Sequence, residues 1–120
     1  GLAGGCAFIS RFFSKSRGRR IVFTGERFSA AELYRLGAIE WCGPRGQLMD
    51  EAMKIARTIA EKSPLAIMLA KEAYNVCENM PQRDGYRYEQ NITEWLSHTE
   101  DAREAQRAFA EKRPAKFKGC

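Results

Sequence analysis

The amino-acid sequence predicts a mainly helical chain with one or two short strands. Apolar residues recur every three or four positions over most of its 120 residues, which is the spacing of one helix face. Serine, threonine and proline residues separate these periodic segments, as helix caps do. Only residues 21–25 and 38–42 are short stretches with the β-branched or aromatic side chains typical of strands. Two lone strands cannot make a stable sheet by themselves, so we expect the partners of a strand over 39–42 to lie outside this chain.

The first predicted helix runs from Cys6 to about Arg17. Four apolar residues follow helical spacing within it: Phe8, Ile9, Phe12 and Phe13. Residues 21–25 fit either a strand or the last turn of that helix, and periodicity does not choose between them. Ser29 is placed to cap a helix over 30–36, and Gly37 follows where a C-terminal glycine belongs.

A short strand over 38–42 and a long amphipathic helix over 47–62 are predicted next. Ser63 and Pro64 are an N-cap and a first helical residue, so another helix should run from there to about Asn79. The first two turns of that helix are apolar all round and should be buried. Apolar spacing predicts two further helices, one that contains Tyr88, Ile92, Trp95 and Leu96 and one that Thr99 caps and Pro114 ends.

The net charge of +5 is concentrated near the two ends of the chain. Five cations and no acid lie within residues 11–20, and four cations and no acid lie within 112–118. Such segments can bind phosphates, either on nucleic acid or on a phosphorylated cofactor. Solvated helix ends explain the same pattern. One hypothesis for this chain is therefore a basic helical module that binds nucleic acid, or that makes another interaction without catalysis. It is the alternative to the enzyme hypothesis given below.

Few residues suggest chemistry by themselves. The chain has a single histidine, His98, and its four cysteines form no C-x-x-C motif, so no metal site is expected. Reduced thiols fit a cytoplasmic or organelle-matrix location. Glu72 is a candidate functional carboxylate, with an ion pair or a solvent-facing position as the other explanation. The longest apolar run, 64–70, is far below the roughly 20 residues that a membrane span needs.

The order of short motifs along the chain is more specific than any one of them. Gly4-Gly5 precedes an apolar helix, and Thr24-Gly25 and Ser29-Ala30 follow. The later motifs, with the tail that closes the chain, are Gly37-Ala38-Ile39, Ser63-Pro64-Leu65-Ala66, Lys71, Thr99-Glu100-Asp101 and Ala108-Phe109-Ala110-Glu111-Lys112-Arg113.

This sequence of motifs resembles the C-terminal half of the enoyl-CoA hydratase/isomerase (crotonase) superfamily over the whole chain. The resemblance implies the C-terminal portion of an α/β crotonase-type spiral, with residues 1–62 ending the spiral core and 63–120 forming a helical trimerisation and lid module. A free-standing helical domain is the alternative. The implied activity is that of an acyl-CoA-processing enzyme, a hydratase adding water to a 2-enoyl-CoA or an isomerase.

The resemblance also assigns roles to residues. Phe109 and Lys112 match the family positions that contact coenzyme A, which is part of the substrate; no other cofactor is implied. No residue matches the catalytic carboxylates or the oxyanion-hole amides, which belong to the N-terminal half of the family fold. The implied partners are an acyl-CoA thioester, that N-terminal half, and further subunits in a homotrimer or a dimer of trimers, with no nucleic acid or membrane.

Some positions depart from the family pattern. Cys6, Ala7 and Phe8 stand where threonine, glutamine and arginine are typical, and Ala105 replaces a usual glycine. These departures concern the substrate and the sub-family rather than the fold.

Overall fold

The computed structural model describes residues 5–120 and confirms the mainly helical fold class. The described residues form no strand and divide into two compact units, one ending at Ala52 and one spanning Met53–Cys120. None of their helices is long and apolar enough to cross a bilayer. The α-helices are α1 (Cys6–Phe12), α2 (Lys15–Thr24), α3 (Ala30–Arg35), α4 (Leu48–Ala60), α5 (Pro64–Cys77), α6 (Gln82–Ser97) and α7 (Glu100–Ala110).

The single helix predicted from Cys6 to about Arg17 is wrong, because the chain breaks between α1 and α2. Phe13 is extended, and the Ser14 hydroxyl accepts a hydrogen bond from the Arg17 N–H at 3.4 Å. This cap starts a new helix instead of continuing the old one. Residues 21–24, for which helix and strand were both open, are the last turns of α2, and Gly25 ends it in the left-handed conformation with φ 63°.

The predicted cap and end of α3 are confirmed. The Ser29 hydroxyl accepts from the Glu32 N–H at 3.2 Å, and Gly37 has φ 72°. The strand predicted over 38–42 is wrong: the chain bends there, and no neighbouring strand supplies a ladder among residues 5–120. Of the expected Gly4-Gly5 turn, Gly4 lies outside the described residues, and Gly5 precedes α1 with φ 91°.

Helix α4 follows a short 3-10 turn, Arg45–Gln47, and ends two residues before the predicted limit. Acids lie in its first turn and Arg57 in its last, as the helix dipole favours. Its apolar face stays exposed within the described chain, through Leu48, Met49, Met53, Ile55 and Ile59.

Helix α5 begins as predicted, with Pro64 after the Ser63 cap. The expected burial of its first two turns is wrong for this chain, since Ile67 and Met68 are exposed, Met68 by 58%. Helix α6 packs against one side of α5 and leaves the other uncovered. A helix that is apolar all round needs neighbours on both sides to be buried.

Helices α5 and α6 approach closely where Gly85 meets Cys77. A methyl group on Gly85 would lie 3.3 Å from the Cys77 Cβ, so the absence of a side chain permits the contact. Burial here raises the pKa of the Cys77 thiol. Further along, the Tyr88 hydroxyl donates to Glu72 at 2.8 Å, a bond that raises the pKa of Tyr88.

Helix α7 is joined to the start of α5 through the buried carboxylate of Asp101. Its Oδ2 accepts from the Ser63 hydroxyl at 2.6 Å, while the same hydroxyl caps α5 by accepting from the Ala66 N–H at 3.3 Å. The tail amides of Lys118 and Gly119 also donate to Asp101, at 2.7 and 3.1 Å. Ser63 first, and then these amides, hold the pKa of Asp101 below its usual value.

Residues 1–62 were predicted to end the spiral core and residues 63–120 to form a trimerisation and lid module. Both roles stay predictions. The boundary between the two compact units falls within α4, and compactness alone does not assign a function to either side.

We predict that Ser63→Ala lowers the free energy of unfolding of a protein that contains residues 1–120 by at least about 1 kcal/mol, the value of one N-cap. The lost bond to Asp101 adds to this effect. Thermal unfolding followed by circular dichroism should show a midpoint about 4 °C lower. The matched control is Ser97→Ala, because the exposed Ser97 hydroxyl bonds only within α6. Equal midpoints for the two variants would contradict a special role for Ser63.

Candidate functional site

The two residues predicted to contact coenzyme A lie close together at the end of α7. Phe109 is in the last turn of the helix and is 88% exposed. Lys112 follows two residues after the helix end and is also exposed. The structure thus brings an open aromatic side chain and a lysine within one turn of each other.

Lys112 has an unusual backbone conformation. Its φ of 52° is left-handed, and among residues 5–120 no other residue except glycine has a positive φ. The Lys112 N–H donates to the Phe109 carbonyl at 3.2 Å and the Arg113 N–H to the Ala108 carbonyl at 3.0 Å, the two bonds of a Schellman motif. Glycine usually occupies this position, since the conformation costs another residue roughly 1–2 kcal/mol.

The turn around Lys112 is bonded to Glu104, which lies on α7 about two turns before Lys112. Arg113 donates from both terminal nitrogens to the two Glu104 oxygens, at 2.5 and 3.1 Å, and the Lys116 N–H donates at 3.0 Å. The Glu104 side chain is only 14% exposed. The Arg113 guanidinium and the Lys116 amide lower the pKa of Glu104 from 4.5 to about 2.

Arg113 has a second carboxylate partner in the same turn. Its Nε donates to Glu111 at 2.5 Å, and one terminal nitrogen donates to the Pro114 carbonyl at 3.1 Å. The bonds to Glu104 and then to Glu111 raise the pKa of Arg113. We call Glu104, Glu111 and Arg113 the Glu104 cluster. Two of its members, Glu111 and Arg113, lie directly before and after Lys112 in the chain.

A groove of about 470 Å³ adjoins this turn. Six of its nine lining residues are apolar, and the cations among the other three are Lys62 and Arg113. The lining also contains Glu61, Ala105, Ala108, Phe109, Pro114, Ala115 and Phe117. A groove with a mostly apolar lining and a cation such as Lys62 suits a ligand that combines a flat ring with anionic groups.

The least exposed carboxylates of the C-terminal unit already accept hydrogen bonds. The half-buried and buried carboxylates Glu104 and Asp101 are both occupied by donors. Glu72, the other candidate carboxylate, accepts from Tyr88. Among residues 5–120, no three metal-ligating side chains cluster in a way that could hold an ion.

The family resemblance points to Phe109 and Lys112, whose contact with coenzyme A stays a prediction, but sequence reasoning missed the residues that bond the turn around Lys112 to α7. Arg113 and Glu104 are nine positions apart, a separation that neither helix nor strand periodicity pairs. The available signal was Pro114, which ends the helix and lets the tail reverse so that Arg113 can reach α7.

We predict that Glu104 stabilises the fold only above acidic pH. Its pKa is depressed in the folded chain, so its contribution is complete above about pH 4.5 and is lost as the pH falls towards 2. The difference in unfolding midpoint between wild type and Glu104→Gln should therefore shrink over that range, measured by circular dichroism from pH 2 to 7. Glu94→Gln, an exposed change on α6, is the control. A difference that is constant with pH would contradict this assignment.

Comparison with known proteins places the chain in a family. The family model for enoyl-CoA hydratase/isomerase matches residues 2–120. A carnitinyl-CoA dehydratase from Salmonella paratyphi B is 36% identical over 121 residues, covering 98% of this chain and 46% of that protein.

Solved structures agree with the sequence match. An enoyl-CoA hydratase from Bacillus anthracis superimposes with a TM-score of 0.92 at 35% identity, over 98% of this chain and 46% of that one. An enoyl-CoA hydratase subunit from Geobacillus kaustophilus gives 0.90 at 34%, over 99% and 46%. The chain thus spans about half the length of the relatives it matches. With motifs, fold and family model in agreement over nearly every residue, the chain belongs to the enoyl-CoA hydratase/isomerase family.

Proposed function

We propose that this chain supplies the coenzyme A contact and the subunit contacts of an acyl-CoA hydratase or isomerase. The observation that carries the proposal is the family match over residues 2–120 together with the exposed Phe109 and the left-handed Lys112 at the end of α7. Several relatives are named for reactions on coenzyme A thioesters, which supports that substrate class.

The chemistry of the two residues suits the nucleotide end of coenzyme A. That end has an adenine ring, a pyrophosphate and a 3′-phosphate, so it needs a flat apolar contact and a cation. The exposed Phe109 ring offers the first. The Lys112 ammonium acts as a point charge that can follow the phosphates on its flexible stem. Coenzyme A enters as part of the substrate, and no other cofactor is proposed.

The proposed reaction is enolate-type catalysis, in which backbone amides polarise the thioester carbonyl and carboxylates move water or protons. We propose that these groups come from the part of the family fold that this chain does not cover. Asp101 and Glu104 already accept hydrogen bonds from Ser63 and Arg113, which supports placing the catalytic groups elsewhere in the fold. By itself the 120-residue chain is expected to be inactive.

The nucleic-acid alternative finds no support. The relatives are named for coenzyme A chemistry. In the basic segment, Arg20 forms a bidentate pair with Glu26, at 2.8 and 3.0 Å, and so offers less charge to phosphates. The proposed location is the cytoplasm or an organelle matrix, where the free thiols of this chain stay reduced.

The activity test joins this chain to the part of the family fold that it does not cover. Residues 2–120 replace the matching segment of the Bacillus anthracis enoyl-CoA hydratase, and the fusion is expected to hydrate crotonyl-CoA. Lys112→Ala should raise its KM for crotonyl-CoA about fivefold, the effect of one charged contact, and change the KM for crotonyl-pantetheine less because that substrate has no phosphates. The control is Arg83→Ala, an exposed cation on α6. A folded fusion without hydration would reject the activity, and equal effects on both substrates would reject the Lys112 contact.

The proposed assembly role rests on an apolar surface of α5 and α6. An open groove of about 290 Å³ is lined by Leu69, Tyr88, Asn91, Ile92 and Trp95, and Trp95 is 55% exposed. An exposed tryptophan beside further apolar groups is typical of a contact between proteins. We propose that this surface lies between subunits of a trimer or a dimer of trimers.

Trp95→Ala is expected to weaken that assembly. Light scattering on the same fusion should show trimers or hexamers for the unaltered protein and a shift towards monomers for the variant, because truncating a buried tryptophan at an interface commonly costs 2 kcal/mol or about thirtyfold in Kd. Tyr74→Ala is the matched control, as Tyr74 is 76% exposed on α5 but does not line this groove. A monomer in every case would remove the assembly role.

A further inference from the structure

We propose that Glu104 is a positioning residue for coenzyme A recognition: through Arg113 and the Lys116 amide, it fixes the turn that presents Lys112 to the phosphates. This inference rests on the proposed function, because it concerns how the same contact is made. Glu104 itself is not proposed to touch the ligand.

The first step is the bonding on the C-terminal side of Lys112. Arg113 and Lys116 both donate to the carboxylate of Glu104, so the chain just after Lys112 is bonded to α7 at three hydrogen-bond contacts of 2.5, 3.1 and 3.0 Å. Each contact involves an ionised acceptor, and such bonds are stronger than those between neutral groups. The turn therefore has one bonded arrangement rather than several.

The second step is the conformation of Lys112 itself. A lysine with φ 52° is disfavoured unless the surroundings impose that conformation. The two Schellman bonds belong to the helix end, and many helices form them with glycine. Here the bonds from Arg113 and Lys116 to Glu104 add a constraint that the helix end alone does not supply.

The third step is charge. Glu104 and Glu111 are close in sequence to Lys112, and unpaired they would attract its ammonium and compete with a phosphate. Both are instead bonded to Arg113, and Arg107 adds a further contact with Glu104 at 3.6 Å. Lys112 takes no part in these ion pairs. The Glu104 cluster thus leaves the positive charge of Lys112 for a ligand while fixing its backbone.

The inference predicts that Glu104 acts on ligand binding only through Lys112. Dephospho-CoA lacks the 3′-phosphate and is otherwise the same molecule as coenzyme A, so the ratio of their two Kd values reports the phosphate contact. We expect the fusion with the Bacillus anthracis enoyl-CoA hydratase to bind coenzyme A about fivefold more tightly than dephospho-CoA, as one charged contact allows. A role in folding alone would weaken both ligands equally and leave the ratio unchanged.

The experiment is a double-mutant cycle read by isothermal titration calorimetry with both ligands. Glu104→Gln and Lys112→Ala should each bring the ratio close to one, and the double variant should show no further loss, because the two residues serve one contact. Glu94→Gln on α6 is the control and should keep the wild-type ratio. A second measurement needs no ligand: hydrogen exchange of the Lys112 and Arg113 amides should be faster in Glu104→Gln and unchanged in Glu94→Gln.

The outcomes separate the two proposals. A Glu104→Gln fusion that keeps the wild-type ratio, loses affinity equally for both ligands, or retains slow exchange at the two amides would overturn the positioning role while the Lys112 contact stands. A ratio that Lys112→Ala does not change, or an unaltered fusion that binds both ligands alike, would reject the proposed contact and the positioning role with it.

Discussion

The buried carboxylate of Asp101 is the interaction on which the C-terminal unit depends. It lies in the first turn of α7, is 3% exposed, and accepts bonds from the cap of α5 and from the last residues of the tail. In return the Asp101 N–H donates to the Cys120 carbonyl at 3.0 Å. Burying a carboxylate costs free energy unless hydrogen-bond donors surround it. The start of α5, the start of α7 and the tail therefore have to come together for the Asp101 side chain to be buried.

The same logic explains the course of the tail. Arg113 and Lys116 bond to Glu104, whereas Lys118 and Gly119 bond to Asp101, one turn nearer the start of α7. The tail therefore runs back along α7, antiparallel to it. Asp101 and Glu104 are three positions apart and therefore lie on one side of α7. Backbone amides of the returning tail donate hydrogen bonds to both carboxylates. The left-handed turn at Lys112 is the point where the direction reverses.

What the sequence could predict was local. The caps at Ser29, Ser63 and Thr99 involve partners three residues away, and all three form. The bond between Ser63 and Asp101 joins residues 38 positions apart, and no spacing rule reaches that far. Both residues occur in the motifs, in Ser63-Pro64 and Thr99-Glu100-Asp101. The motifs do not predict that the two side chains form a hydrogen bond.

The wrong predictions share a physical origin. A strand over 38–42 and a buried start of α5 both require neighbours that pattern alone assumes and that residues 5–120 do not provide. A strand without a ladder has no reason to stay extended. Apolar periodicity shows that a face will be covered but does not show by what. The break at Phe13 is different: there a local cap at Ser14 outweighed a pattern that continued through it.

The balance of apolar and polar contacts also bears on how this half of the family fold works. Within the described chain only two apolar side chains, Ala73 and Ala108, are buried, while large ones such as Trp95 and Phe109 are open. Hydrogen bonds to Asp101 and Glu104 fix the backbone but supply little of the apolar burial that makes a domain stable. A segment built in this way is well suited to present fixed side chains to other parts of an assembly. Its large exposed apolar side chains are the ones that a further contact surface would cover, and residues 5–120 do not supply that surface.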